Sequence, residues 1–198
     1  MNGPTWNRRS FIKLGLLGGC IGAGVYAFGS TMIIGNDTLS IVSFPDPLLR
    51  KVALPVTEFN DSLAKLGRNM IATLQHQVYK GLWKGGSLSK GLAAPQVGFS
   101  KRIIVCSLYG IVQVMVNPEI IVKTGSYLSE EGCLSLPNHA RRVLKRSQEM
   151  EVRYYDIQGK EKKIELKARF AAAVEHEIDH LDGVLYIDKP RANQADLS

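Results

Sequence analysis

AAVEHEIDHLDG, residues 172–183, carries two histidines four positions apart with a glutamate directly after the first. Together with the preceding ARFA it reads as a helix, closed by Gly183 where a C-terminal capping glycine belongs. On a helix, positions four apart lie one above the other. His176 and His180 therefore share a face, with rings close enough to hold one cation. Glu177 points beside the pair, near enough to take a proton from water at a metal without being a ligand, which is the HExxH arrangement of metal-dependent hydrolases. The alternative is a polar helix face with incidental histidines. Half of the chain's 4 histidines fall in this one stretch and frame a glutamate, which argues against it.

Two histidines do not complete a metal site, so a third ligand is needed. Downstream, residues 181–198 contain neither His nor Glu. Asp182 stands too near the same helix end to swing back, and Asp188 would need a special turn. Upstream lies SEEGCLSLPN, residues 129–138, where Cys133 follows the small Gly132. A thiolate binds soft and borderline divalent metals strongly. Cys133, His176 and His180 would make three ligands and leave a tetrahedral corner for water.

The rest of the chain is that of an ordinary globular protein. Its 198 residues are 45% hydrophobic and 22% charged, enough for one sizeable core. Cys20, Cys106 and Cys133 form no pairing framework, and Cys106, alternating with Ile104 in an apolar run, reads as a core residue. The net charge of +7 includes a cluster at Arg141, Arg142, Lys145 and Arg146. No aromatics alternate with it, so it reads as a solvated loop and strand edge, and no sequence-specific nucleic acid is expected as a partner.

TEFNDSLAKLGRNMIATLQHQVYKG reads as a helix ended by Gly81, with His76 on its surface. LWKGGSLSKGLAAPQVG reads as a glycine-rich loop. RIIVCSLYG, IVQVMVNPEIIVKTG and QEMEVRYYDIQGKEKKIELKA read as β structure, and VLYIDKP as a short strand.

Residues 1–38 form a different kind of segment. From Leu14 through Gly35 there is no charged side chain, and the cationic NRRSFIK precedes the run. Arg8-Arg9 followed by Ser-Phe-Ile-Lys resembles a twin-arginine export signal. The same run is long enough for an uncleaved membrane anchor, and Leu17-Gly18-Gly19-Cys20 resembles a lipoprotein processing site that would lipidate Cys20. A periplasmic or inner-membrane-anchored protein is expected, with a cytoplasmic one as the alternative.

GLAAPQVG (91–98), EGCLS (131–135) and HEIDHLDG (176–183), in this order, resemble the peptide deformylase family. The resemblance extends over roughly residues 39–190, leaving 191–198 as a polar tail. It implies an α+β fold with antiparallel sheets around a central HExxH-bearing helix. It also implies one divalent metal, ferrous iron by expectation, replaceable by zinc, nickel or cobalt. The implied reaction is hydrolysis of the N-formyl group of formyl-methionyl peptides. Glu177 would act as acid and base, and the Gln96 side chain and the Leu134 backbone N–H would stabilise the oxyanion. Gly91 would pair with the substrate backbone, and Glu131 would support the site from behind.

Three stretches depart from the family's pattern. Lys90 replaces an apolar residue before Gly91, Ala168-Arg169-Phe170-Ala171 replaces Gly-Leu-Leu-Ala, and Glu175 replaces Gln. By the resemblance, Lys90 and Arg169 would border the pocket that receives a methionine side chain. They point to an exported paralogue acting on other N-formylated peptides or amides. A non-catalytic metal-binding relative and a zinc endopeptidase are the other readings; the retained Glu177 speaks against the first and the upstream cysteine against the second.

Overall fold

The computed structural model describes residues 38–83 and 90–193, all within the compact unit Ile33–Ser198. Nearly all of the expected leader, including Cys20, and most of the C-terminal tail lie outside the described residues. No helix among the described residues is long and apolar enough to cross a membrane.

The described chain forms two helices and two antiparallel sheets. Helix α1 spans Asp61–Trp83, and β1 (Gly91–Ala93), β2 (Ile103–Leu108) and β3 (Ile111–Thr124) follow. Next come β4 (Tyr127–Glu131), β5 (Arg142–Arg146), β6 (Glu149–Tyr155) and β7 (Glu161–Lys167). Helix α2, Arg169–Leu181, carries both histidines of the HExxH stretch. One sheet has the order β1-β2-β3-β6-β7, and the other pairs β4 with β5.

The apolar run Ile103-Ile104-Val105-Cys106 explains how two helices share one sheet. Alternate residues of a strand point to opposite faces. Ile103 and Val105 meet Leu63, Leu66, Met70 and Leu74 of α1, whereas Ile104 and Cys106 meet Ala171, Val174, Ile178 and Leu181 of α2. All four strand residues are fully buried. A strand covered on both faces loses the polar alternation of a half-exposed one. Burying each of its larger side chains is worth about 1.5–3 kcal/mol. Cys106 is thus a core residue.

Both helices have local reasons to start and stop. The Asn60 side chain caps α1 by accepting from the Leu63 backbone N–H at 3.1 Å. After α2 the chain turns at Gly183, whose φ is +72°; a Cβ there would stand 2.5 Å from the Arg50 carbonyl oxygen, so only glycine fits.

Several local expectations are corrected. Gly81 does not end α1, which runs on to Trp83; a glycine inside a helix costs only about 1 kcal/mol relative to alanine. Part of the expected glycine-rich loop is ordered as β1, with Gly91 opposite Cys106 and Ala93 opposite Ile104, and then as a 3-10 turn over Ala94–Val97. VLYIDKP forms a 3-10 turn at Tyr186–Asp188 instead of a strand. Its cause is local: the Asp188 carboxylate accepts from the Leu185 N–H at 2.8 Å and also pairs with Arg50.

Candidate active site and metal centre

The ends of separate elements deliver the site. The β4–β5 hairpin carries Glu131 to its mouth, opposite Arg142, and Gly132-Cys133 follow at once. Helix α2 supplies His176 and His180, whose ring centroids are 5.1 Å apart. The ligand atoms of Cys133, His176 and His180 all lie within 4.8 Å of one another. The Cys133 sulfur is 3.1 Å from Nε2 of His180.

Behind these residues lies a buried ionic network. His176 donates from Nδ1 to Glu131 at 2.8 Å. Both Glu131 oxygens also accept from Arg146, at 2.6 and 2.7 Å, and a third Arg146 nitrogen donates to Asp179 at 2.6 Å. Lys189 completes the chain with a 2.9 Å contact to Asp179. Burial alone would raise the Glu131 carboxyl, but Arg146 and His176 overcome it and hold its pKa at about 2. Arg146 is only 3% exposed. The solvated-edge reading of the basic cluster is therefore wrong for this member. The overlooked signal was strand alternation, since Arg146 shares a face of β5 with the buried Leu144.

Glu177 is buried, and burial pushes its carboxyl up to about 7. It lies against Gly91: a Cβ on that glycine would come within 2.4 Å of Glu177 Oε1. The close approach explains the glycine whatever its role toward substrate. Gln96 is buried with its amide fixed at both ends. Oε1 accepts from the Ala93 N–H at 2.8 Å, and Nε2 donates toward the Cys133 sulfur at 3.3 Å. Leu134, next to Cys133, lines the same cavity.

Three acids outside this group are accounted for elsewhere. Asp182 pairs with Arg102 at 2.6 Å, and Asp188 with Arg50, so both candidate third ligands excluded from the sequence have other partners. Glu175 accepts from the Ser147 backbone N–H at 3.0 Å and does not line the cavity.

A divalent metal fits this donor set. One sulfur and two imidazoles converge, and Glu131 occupies Nδ1 of His176, so the other ring nitrogen of His176 is left to face a cation. The two histidines are also pushed apart. Burial would lower His176, but its hydrogen bonds to Cys133 and Glu131 outweigh that and raise it well above its ordinary value. Burial and then the His176 charge drive His180 well below its own. Among the described residues, the buried oxygen Oε2 of Glu177 has no hydrogen-bond partner in the protein, as expected of a group meant for something else.

The sequence profile described as polypeptide deformylase matches residues 38–196. The chain belongs to the peptide deformylase family. A peptide deformylase of Thermodesulfovibrio yellowstonii is 46% identical over 156 residues, covering 76% of this chain and 88% of that one. The crystal structure of the peptide deformylase from Thermotoga maritima superposes with a TM-score of 0.69 at 38% identity, covering 78% of this chain and 99% of the other. A Met-Ala-Ser-bound class I type b peptide deformylase from Acinetobacter baumannii gives a TM-score of 0.66 at 32% identity, covering 77% and 98%. This deformylase is a hydrolase with the family's fold of antiparallel sheets and two helices, and the family is metal-dependent.

Every residue singled out from the sequence as a site residue lines or adjoins one cavity of about 490 Å³. Gly91, Gln96, Cys133, Leu134, His176 and Glu177 line it, and so do Lys90 and Arg169 at the departing positions. His180 is buried at the Cys133 sulfur.

Proposed function

We propose that this deformylase hydrolyses the formamide bond of N-formyl peptides, formyl-methionyl peptides among them, with α2 as the central element of its site. The observation that carries the assignment of roles is the convergence of Cys133, His176 and His180 beside the buried Glu177, whose Oε2 has no hydrogen-bond partner in the protein. A divalent metal held by these three ligands supplies Lewis acidity there, polarising a carbonyl and making water acidic near neutral pH. Ferrous iron is the metal expected, with nickel, cobalt or zinc able to replace it.

The protein's own groups do the rest. Glu177 accepts a proton from water as its oxygen bonds to the formyl carbon, and returns it to the amine nitrogen as the C–N bond breaks. A carboxyl raised to about 7 by burial suits both tasks. The formyl oxygen gains negative charge between these steps. Nε2 of Gln96 and the Leu134 N–H donate to it, each worth about 3 kcal/mol. The Ala93 N–H holds the Gln96 amide so that Nε2 faces the sulfur, which supports this role. Gly91 offers its backbone to an extended substrate at the edge strand β1.

The test is incubation of the metal-loaded protein with formyl-Met-Ala-Ser, chosen because a relative binds Met-Ala-Ser. One formate per peptide with the backbone intact is expected. Cleavage into two fragments would make it an endopeptidase, and tight metal binding without turnover would make it a binding protein. Export or anchoring through residues 1–38 is a further part of the reading, supported by the twin-arginine-like sequence. Cell fractionation with N-terminal sequencing of the mature protein tests it; a cytosolic protein starting at Met1 would reject it.

A further inference from the structure

The mouth of the cavity holds more positive charge than its own acids neutralise. Lys90, Arg141 and Arg169 line it together with Glu130, Glu131 and Glu177. Two of the acids are otherwise engaged, Glu130 with Arg141 at 3.0 Å and Glu131 with Arg146 and His176, and the third, Glu177, is buried beneath them. Among the described residues, Lys90 and Arg169 have no carboxylate partner. Arg169 has only the Phe170 ring, 4.8 Å from its guanidinium carbon.

Their positions relate directly to the reacting centre. Lys90 immediately precedes Gly91, the residue in contact with Glu177. Arg169, Ala172, Ala173 and His176 all line the cavity from one face of α2. Seven helical residues rise about 10 Å. The two alanines between the guanidinium and the metal ligand leave room there for a substrate side chain. Partial burial first, and then the charges of Arg169 and Arg141, lower the Lys90 ammonium below its ordinary value, so the cations crowd one another. An apolar side chain entering here would strip water from them without return, whereas an anion would relieve the crowding.

We propose that Lys90 and Arg169 select N-formylated peptides carrying a carboxylate close to the formyl group. The inference rests on the deformylase reading and adds a substrate class to it. A carboxylate can come from an acidic first side chain or from the C-terminus of a very short peptide, and the experiment separates these sources.

The test compares kcat/KM for formate release by the full-length, metal-loaded protein. Formyl-Glu-Ala-Ser amide is compared with its neutral isostere formyl-Gln-Ala-Ser amide, and formyl-Met-Ala-Ser as free acid with its amide. A preference of roughly fivefold to tenfold for the charged member of at least one pair is expected. It should shrink at high salt, because exposed charges are screened, and approach unity in the variants Lys90→Leu and Arg169→Leu. Preference for Glu over Gln assigns the carboxylate to the side chain; preference for acid over amide assigns it to the chain end. Charged members at or below their neutral counterparts in both pairs would overturn the selection, while turnover of formyl-Met-Ala-Ser would leave the deformylase reading standing. No formate from any peptide would instead sink the deformylase reading.

Discussion

Arg146 and Arg169 carry the same charge and serve the same histidine-bearing helix, yet their surroundings are opposite. Arg146 is buried and donates to two carboxylates, one of which orients His176. Arg169 is exposed at the cavity mouth with an aromatic ring as its neighbour. A buried charge is tolerated only when its hydrogen bonds are satisfied inside the protein. An exposed one can wait for a partner that is not part of the chain. In the wall behind His176 the ionic network is closed within the protein. Among the described residues, by contrast, Nδ1 of His180 has no hydrogen-bond partner and Arg169 at the rim has no carboxylate.

Glu177 stands between wall and rim, and the largest effect is expected there. Glu177→Gln keeps the shape and removes the proton acceptor, so kcat for formate release should fall by roughly 10²–10⁴-fold. Metal bound per protein and the denaturation midpoint should stay near their original values. Loss of metal in this variant would move Glu177 from the chemistry into the wall.

The wall itself is tested by Arg146→Met. It leaves Glu131 with His176 alone and Asp179 with Lys189 alone. Breaking a buried ion pair from one side costs about 3–5 kcal/mol, readable as a lowered urea midpoint. Bound metal should fall as well, because Glu131, no longer fixed by Arg146, holds His176 less firmly in place. Arg169→Leu should change the midpoint by less than about 0.5 kcal/mol, as exposed substitutions usually do. Equal losses in the two variants would erase the distinction between wall and rim.

Gly91→Ala probes the seam between the two regions. The added methyl would stand 2.4 Å from Glu177 Oε1, so the carboxylate or β1 must shift. Misplacing a catalytic group by about 1 Å can cost on the order of 100-fold. A fall in kcat of at least about tenfold is expected, larger than any change in KM. If KM alone rises, Gly91 serves substrate pairing and not the seating of Glu177.

The same contrast explains what could be read in advance. His176, Glu177 and His180 were legible because helical periodicity places them, and Cys133 because a donor of its type was missing downstream. The two-faced burial of Ile103–Cys106 also showed as an unbroken apolar run. Arg146 was not legible in the same way, because a run of four cations within six positions looks like a wet surface. Alternation with Leu144 separates it from the exposed Lys145 but not from the half-buried Arg142 on the same face. Nor could sequence alone show that Gly91 yields space to Glu177, since that contact joins an edge strand to a helix more than eighty residues later. The Tyr186–Asp188 turn escaped because one aspartate captures both an arginine and a backbone N–H.

The smallest expected effect lies where α2 begins. Ala168 has φ +48° and ψ −122°, a conformation that side-chain-bearing residues rarely adopt, at the position where the family's pattern has glycine. It is held there by its own N–H, which donates to Gln148 at 2.7 Å, and by its carbonyl, which accepts from Ala172 at 3.0 Å. Such strain costs about 1–3 kcal/mol. Glycine would remove it, while the greater freedom of the unfolded chain takes back about 0.4–1 kcal/mol. Ala168→Gly should therefore stabilise the protein by about 1 kcal/mol net, within roughly 0–2.6 kcal/mol, read as a raised urea midpoint. Because glycine can keep the same backbone angles, Arg169 stays at the rim, and discrimination between formyl-Glu and formyl-Gln peptides should not move. A lowered midpoint would show that the helix start is not strained; a changed discrimination with a raised midpoint would show that the strain itself aims Arg169 into the cavity.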